Sequence, residues 1–307
     1  MIYNIKAKLE YKKIIISGAN GFTGRFVCRE LKSRGMVFSV ILRPGSCTKW
    51  MTKNNIQFHF ADLNSIGDLT KILKRNECLI NIASIGFGSA AKIVKACENA
   101  HIKRVIFVSS TSIFTKLNSK SKNIRINAEK SIVNSNLNWT IFRPTMIFGS
   151  PKDRNMIKLI KWIDKVPFIP VFGKGNNFQQ PIFVKDLAWS IVEIIEIKKT
   201  FHRTFNLSGP KPLTYKEIIK IISLYLGKKP LILFLPYLFF SKLLKFLEFL
   251  GIRIFIKSEQ IMRLNEDKIF PHGEAENVFG YKPTEFKKAI FEEIKIYKRK
   301  KNHKNYS

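Results

Sequence analysis

The stretch at residues 16–25 reads ISGANGFTGR, set between an apolar run, KKIIIS at 12–17, and a helical pattern, FTGRFVCRELKSRG at 22–35. Gly18, Gly21 and Gly24 fall three residues apart. A tight strand-to-helix turn needs one glycine, a backbone passing close to a pyrophosphate needs another, and close packing of helix on strand needs a third. The free N–H groups of the first helical turn then face the phosphates. Glycines also make ordinary turns, so the triplet carries weight because a strand precedes it and a helix follows it at the first such junction of the chain. The stretch predicts a dinucleotide site formed by Gly18, Asn20, Gly21, Phe22, Thr23 and Gly24.

Outward from that loop, short apolar runs alternate with helical segments up to residue 150. Strands are expected at 38–43, 56–63, 78–84, 105–110 and 139–144, with helices at 65–75 and 89–101 between them. Strands rich in Ile and Val without alternation are buried on both faces. Strands alternating with helices indicate a parallel sheet with right-handed crossovers. The expected fold class is α/β: a Rossmann doubly wound parallel sheet with a smaller, mostly helical C-terminal domain. Residues 12–150 form the first, with 181–210 returning to it. Residues 151–180 and 211–295 form the second, and 296–307 is a basic, solvated tail.

The chain has 307 residues and a formal charge of +32. Such a charge suits an anionic membrane, a nucleic acid or a phosphorylated substrate. The lysines are spread along the chain amid abundant Ile, Asn and Phe, so compositional drift is the simpler reading. No module of interleaved aromatic and basic residues is visible, and no specific nucleic-acid partner is predicted. Four scattered cysteines and five dispersed histidines argue for a reduced, cytoplasmic protein without a disulfide framework or metal site. The first thirteen residues carry charge throughout and lack an apolar core of signal-peptide length. One apolar stretch, 230–252, contains too few uncharged residues to span a bilayer. Within 236–250, Ser241, Lys242, Lys245 and Glu248 gather on one helical stripe. Two readings stay open for it: a core-packed helix of a lid, or a peripheral helix lying on a membrane.

The glycine spacing resembles that of the short-chain dehydrogenase/reductase superfamily, in its extended and atypical, epimerase/dehydratase-like branches. Further elements resemble it too: Ala61-Asp62-Leu63, Asn81-Ile82-Ala83, Arg143-Pro144 with Gly149, FVKDLA, FNLSGPKPLTYKEI, and Phe279 to Pro283. The resemblance spans residues 12 to about 290 and specifies the family rather than a substrate. It implies adenine contacts from Asp62 and Leu63, further cofactor contacts from Asn81 and Ala83, and a ribose contact from Arg125. An acid at the end of strand two commonly holds a 2′-hydroxyl, and an arginine a 2′-phosphate. Strand two ends Leu42-Arg43-Pro44-Gly45-Ser46 without an acid, so the cofactor is NADP or NAD with NADP favoured, through Arg43 and Arg25.

In the family a tyrosine lies four residues before a lysine on the helix after strand five, and works with a Ser or Thr as acid or base. The register set by Ala128-Glu129 puts Ser121 at the tyrosine and Arg125 at the lysine. No tyrosine occurs between Tyr11 and Tyr215. The hydroxyl partner persists as Ser110 or Thr111. An alkanol is a far poorer acid than a phenol, and arginine does not stand in simply for lysine. Ser110, Thr111, Ser121 and Arg125 are therefore the catalytic candidates of a site that lacks the usual pair. Arg154 and Asn155, at the rim after strand six, suit clamping a diphosphate or carboxylate, and Gln179 and Gln180 occupy positions that resemble substrate contacts of the family's sugar-nucleotide enzymes. Two functions follow: an NAD(P)-dependent epimerase/dehydratase- or reductase-like enzyme acting on a nucleotide-sugar or similar small molecule, or a non-catalytic NAD(P)H-binding accessory or redox-sensing protein at a membrane periphery. Members without the tyrosine include a nucleotide-binding accessory subunit of respiratory complex I.

Overall fold

A computed structural model describes residues 11, 13–117, 119–249, 262–263 and 265–305. Seven strands form one parallel sheet: β1 (Ile14–Ser17), β2 (Phe38–Leu42), β3 (Gln57–Phe60), β4 (Cys78–Asn81), β5 (Arg104–Val108), β6 (Trp139–Pro144) and, later in the chain, β11 (Arg203–Leu207). Their order is β11-β6-β5-β4-β1-β2-β3, with every pairing parallel. The chain runs outward from β1 to β3 and then returns to place β4 on the other side of β1. That reversal opens a crevice at the C-terminal end of β1, where ligands of such sheets sit. Strands β1, β4 and β5 are buried at every position, as continuous Ile/Val runs require.

Helices cover both faces. The connecting helices are α1 (Phe22–Ser33), α2 (Lys49–Lys53), α3 (Ile66–Leu73), α4 (Ala90–Asn99) and α5 (Lys120–Val133). They are followed by α6 (Met156–Lys165), α7 (Val184–Glu193), α8 (Tyr215–Leu226), α9 (Tyr237–Phe249), α10 (Gly273–Phe279) and α11 (Phe286–Asn305). One core cluster joins the sheet to α1 and α7, and a second joins it to α3, α4 and α5. A third gathers α6, α8 and α11 with two residues of a short strand, β8 (Phe168–Phe172). Three further parallel or antiparallel pairs are small: β7 (Ile147–Phe148) with β10 (Ile182–Phe183), β9 (Phe178–Gln179) with β12 (Leu213–Thr214), and β8 with β13 (Leu231–Leu235).

Two expectations, for the basic run and for the apolar stretch, differ from what is found. The basic run after residue 295 is helical as far as Asn305: Lys298 donates to the Tyr225 carbonyl, and Lys301 pairs with Asp164 at 2.7 Å. Amphipathic packing against α8 carries the helix past the point where composition suggests solvated coil. Asp186 does not cap its own helix; its carboxylate accepts from the backbone and hydroxyl of Thr284, tying α7 to the approach to α11. The apolar stretch after residue 230 is a strand followed by a helix, and Leu238 and Phe239 of that helix are exposed, which rules out core packing for its first turn.

Two buried ionisable groups brace the frame. The Arg104 guanidinium, fully buried, donates to the carbonyls of Val105, Asn138, Ile194 and Ile195 and to the hydroxyls of Thr140 and Thr200. Burial lowers its pKa to about 10, so it keeps its charge at neutral pH. Glu293 of α11 is also fully buried and accepts from the Gly149 backbone N–H at 2.8 Å. Its Oε1 and the Oδ2 of Asp153 are both buried without a donor, so a single proton between them satisfies both. Burial, reinforced by the Asp153 carboxyl, pushes Glu293 upward, and it stays protonated at neutral pH. The native state thus holds a proton that the unfolded chain releases above the ordinary carboxyl value, so stability falls as pH rises beyond that value. Glu293→Gln keeps a neutral donor and should flatten this decline, which urea unfolding at a series of pH values measures.

Candidate functional site

The glycine loop is shaped by contacts that exclude side chains. Gly18 has a φ of +79°, and a β-carbon there would lie 2.5 Å from the Ala83 nitrogen. A β-carbon on Gly24 would overlap the Gly18 carbonyl and come within 2.6 Å of the Ala19 Cα. Gly21 is less constrained: its nearest neighbour would be the Gly18 oxygen at 3.2 Å. Gly21 stands at the N-cap of α1, which has no side-chain cap and no acid in its first turn. The leading N–H groups, around Phe22 and Thr23, are therefore available to a phosphate. The Asn20 amide donates to the Cys47 carbonyl at 2.8 Å and joins this loop to the one after β2.

That second loop is a tight turn: the Ser46 N–H donates to the Arg43 carbonyl, with Pro44 and Gly45 between and Gly45 at a φ of +76°. Arg43 is exposed on it. The Arg25 guanidinium lies 5.1 Å from the Trp50 ring centroid, and its Nε is buried without a partner. After β3, Asp62 is exposed and its Oδ1 accepts from the Asn64 backbone at 2.9 Å, while Leu63 packs on the second core. Asn81, fully buried, accepts from the Ser17 hydroxyl at 2.5 Å and donates to the Ala83 carbonyl at 3.0 Å. Its side chain thus clamps β4 to β1 and shapes the segment that meets Gly18.

The face of α5 next to this crevice carries Ser121 and Arg125. Arg125 donates to the Ser121 carbonyl at 3.0 Å, and its guanidinium lies against Gly86, where any β-carbon would collide with it. Partial burial, with Arg263 nearby, lowers its pKa. The Ser121 and Ser119 hydroxyls are 3.3 Å apart, and Ser119 also accepts from Arg263. Ser110 accepts from the Ser112 backbone, and Thr111 donates to the Pro144 carbonyl, so both hydroxyls are engaged locally. Glu129, one turn along from Arg125, forms a buried pair with Arg143, at 2.5 Å from Oε2 to Nη2, and accepts from Ser109. Arg143 also rests over the Phe114 ring, at 5.2 Å from its centroid.

Across the C-terminal rim of β5, β6 and β11 lie residues 262–263 and 265–272, which no sequence motif singled out. The Glu266 carboxylate accepts from the Thr115 hydroxyl at 2.6 Å and the Lys116 backbone at 2.8 Å. Gln179 donates to the Glu266 carbonyl, and Asn177 to that of Asn265. Gln180 spends both ends of its amide, accepting from the Phe270 N–H and donating to the Gly209 carbonyl. Ser208 donates to the Phe270 carbonyl, and the Phe270 ring stacks on Phe114 at 5.6 Å. The segment is a strap, and both glutamines hold it. Lys268 within it donates to the Arg263 carbonyl, and burial lowers its pKa to about 8. The one signal for the strap in the sequence is the charged string RLNEDK between apolar flanks, which has no helical or strand period. Arg154 and Asn155 are exposed at the start of α6, where Asp153 caps the backbone of Asn155 and Ile157. Among the described residues neither bonds to the glutamines. No group of described residues has the composition of a metal site.

Residues 18–161 match a family described as NAD(P)H-binding. A relative from Arabidopsis thaliana, the mitochondrial NADH dehydrogenase (ubiquinone) 1 alpha subcomplex subunit 9, is 24% identical over 72% of this chain. Its namesake from Dictyostelium discoideum is 25% identical over 67%. The chain spans 60% and 62% of the lengths of these two relatives. Among solved structures, the UDP-glucose 4-epimerase of Thermotoga maritima with UDP-glucose superposes with a TM-score of 0.74 at 13% identity, covering 94% of this chain and 99% of the epimerase. At that identity the likeness is one of fold.

The glycines differ in what they tolerate. Gly24→Ala should cost about 1–3 kcal/mol through overpacking against backbone, and Gly21→Ala much less; denaturant unfolding of the two variants checks the order. Glu129→Ala leaves Arg143 without its partner. Breaking a buried pair costs about 3–5 kcal/mol, and the lower end is expected here because the Arg143 side chain is still 24% exposed.

Proposed function

We propose that this chain binds NADPH as a ligand and does not carry out the tyrosine-dependent chemistry of the superfamily it resembles, which makes it an accessory or redox-sensing protein. The observation that carries the reading is the α5 face. Where the proton-relaying pair would stand, Ser121 offers only an alkanol beside Ser119, and Arg125 is fixed on Ser121 and Gly86. Neither group can deliver a proton near neutral pH. The engaged amides of Gln179 and Gln180 support it further, because a substrate recruiting them would first have to break the strap's bonds. The strip Arg43–Ser46 without an acid, with Arg25 behind it, supports NADPH over NADH. The comparison with a complex I subunit supports an accessory role, and that role remains a proposal for this chain.

A second reading rests on Lys268. The Lys268 amine, which donates to the Arg263 carbonyl within the strap, has its pKa lowered to about 8 by burial and is a competent acid at neutral pH. It would serve an epimerase- or reductase-like reaction on a nucleotide-sugar, the substrate class that the epimerase structure's own ligand represents.

Purified protein is denatured to release any bound nucleotide, and the emptied protein is titrated with NADPH and NADH. NADPH is expected to bind more tightly, and Arg43→Ala should weaken it by about tenfold, the loss of one charge-assisted phosphate contact, with NADH changed little. Incubation with UDP-glucose should leave both NADPH and sugar unchanged. Epimerised or reduced sugar, lost in Lys268→Met, would overturn the binding-only reading and establish the second.

A further inference from the structure

The parallel pair β8–β13 presents an apolar face to solvent. Its register sets Phe168 beside Leu231, Pro170 beside Leu233 and Phe172 beside Leu235, and the period of two puts all six on one side. The opposite side contributes Ile169, Val171 and Ile232 to the third core. On the outer side Phe168 is 42% exposed, Leu231 64% and Leu233 38%. Phe240 of α9 meets Phe172 at 5.8 Å at the far end. The turn before it points Leu238 and Phe239 outward, 60% and 63% exposed. A monomeric soluble protein seldom leaves such a run of large apolar side chains uncovered.

Charge indicates what covers it. Because the two strands are parallel, the residues leading into them lie at the same end, where the Leu231 N–H donates to the Pro167 carbonyl at 2.8 Å. Lys161 and Lys165 precede one strand, Lys228 and Lys229 the other, and all four are exposed. The acids nearby are engaged: Asp164 by Tyr297 and Lys301, Glu217 by its own helix cap. Protein interfaces are depleted of lysine at their core. An apolar face edged by lysines matches an anionic bilayer, with leucines at the acyl boundary and ammonium groups among phosphates. Among the described residues no helix is long and apolar enough to cross a membrane.

We propose that the β8–β13 face, with the first turn of α9, docks the protein onto an anionic phospholipid surface. The contact is made by the strand pair and the start of the helix rather than by 236–250 as a whole, and it is independent of nucleotide binding. Full-length protein is sedimented with phosphatidylcholine vesicles with and without phosphatidylserine. Binding to the phosphatidylserine vesicles is expected, weakened about tenfold or more in Leu231→Asp/Leu233→Asp, on the order expected for withdrawing two leucines from an apolar phase. Lys228→Glu/Lys229→Glu should lose the preference for phosphatidylserine. Cooperative thermal unfolding verifies that the variants fold, and Leu238→Asp/Phe239→Asp repeats the test on the helix. Absence of vesicle binding overturns the proposal. So does binding that both apolar pairs leave unchanged, which would assign it to the general positive charge. A dimer in solution that the leucine pair dissociates, with vesicle binding unaltered, would make a second copy of the chain the occupant and likewise overturn it.

Discussion

The contact between Gly24, the Gly18 carbonyl and the backbone at Ala83 holds three elements at a spacing that no side chain could share. It seats α1 on β1, and it brings the segment after β4 against the same turn. The order of the sheet places β4 beside β1, and the Ser17–Asn81 hydrogen bond fastens them at their C-terminal ends. The crevice, the direction of the helix dipole and the position of α5 over Gly86 all depend on that close approach. The glycine turn is thus a packing joint in its own right, whatever ligand it meets.

The central sheet was legible because its inner strands, β1, β4 and β5, are short and mostly apolar and lie beside helices of clear period. The glycine turn was legible for a related reason: its spacing reflects local sterics, which act within a few residues. What escaped the sequence was long-range. Asn81 resembles a ligand contact by position, yet its partners are Ser17 and Ala83, the first of them 64 residues away. Gln180 meets residues 29 and 90 positions distant. Neither pairing leaves a trace in local pattern. At 230–252, continuous hydrophobicity masked a change from strand to helix, since both accept Leu and Phe, and only pairing with β8 distinguishes the first part.

The α5 face is held in place by residues other than its catalytic candidates. Glu129 still anchors the helix to β6 through Arg143, and Ser109 adds to the same carboxylate. Position is retained by this ion pair rather than by the residues that would move a proton. Arg125 rests against Gly86 and bonds the Ser121 carbonyl, so the two share one turn of the helix.

Arg104 has a consequence for how the chain assembles. Its partners come from Asn138 and Thr140, 34 and 36 residues on, and from Ile194, Ile195 and Thr200, 90 to 96 residues on. Until the later segment arrives, the guanidinium has to remain hydrated, and β5 cannot close over it without the full cost of a buried, unsatisfied charge. The β6–β11 edge and the end of α7 must therefore consolidate together with the base of β5. Loop closure over such separations is slow, so this end of the sheet should be the last to exclude water as the protein folds.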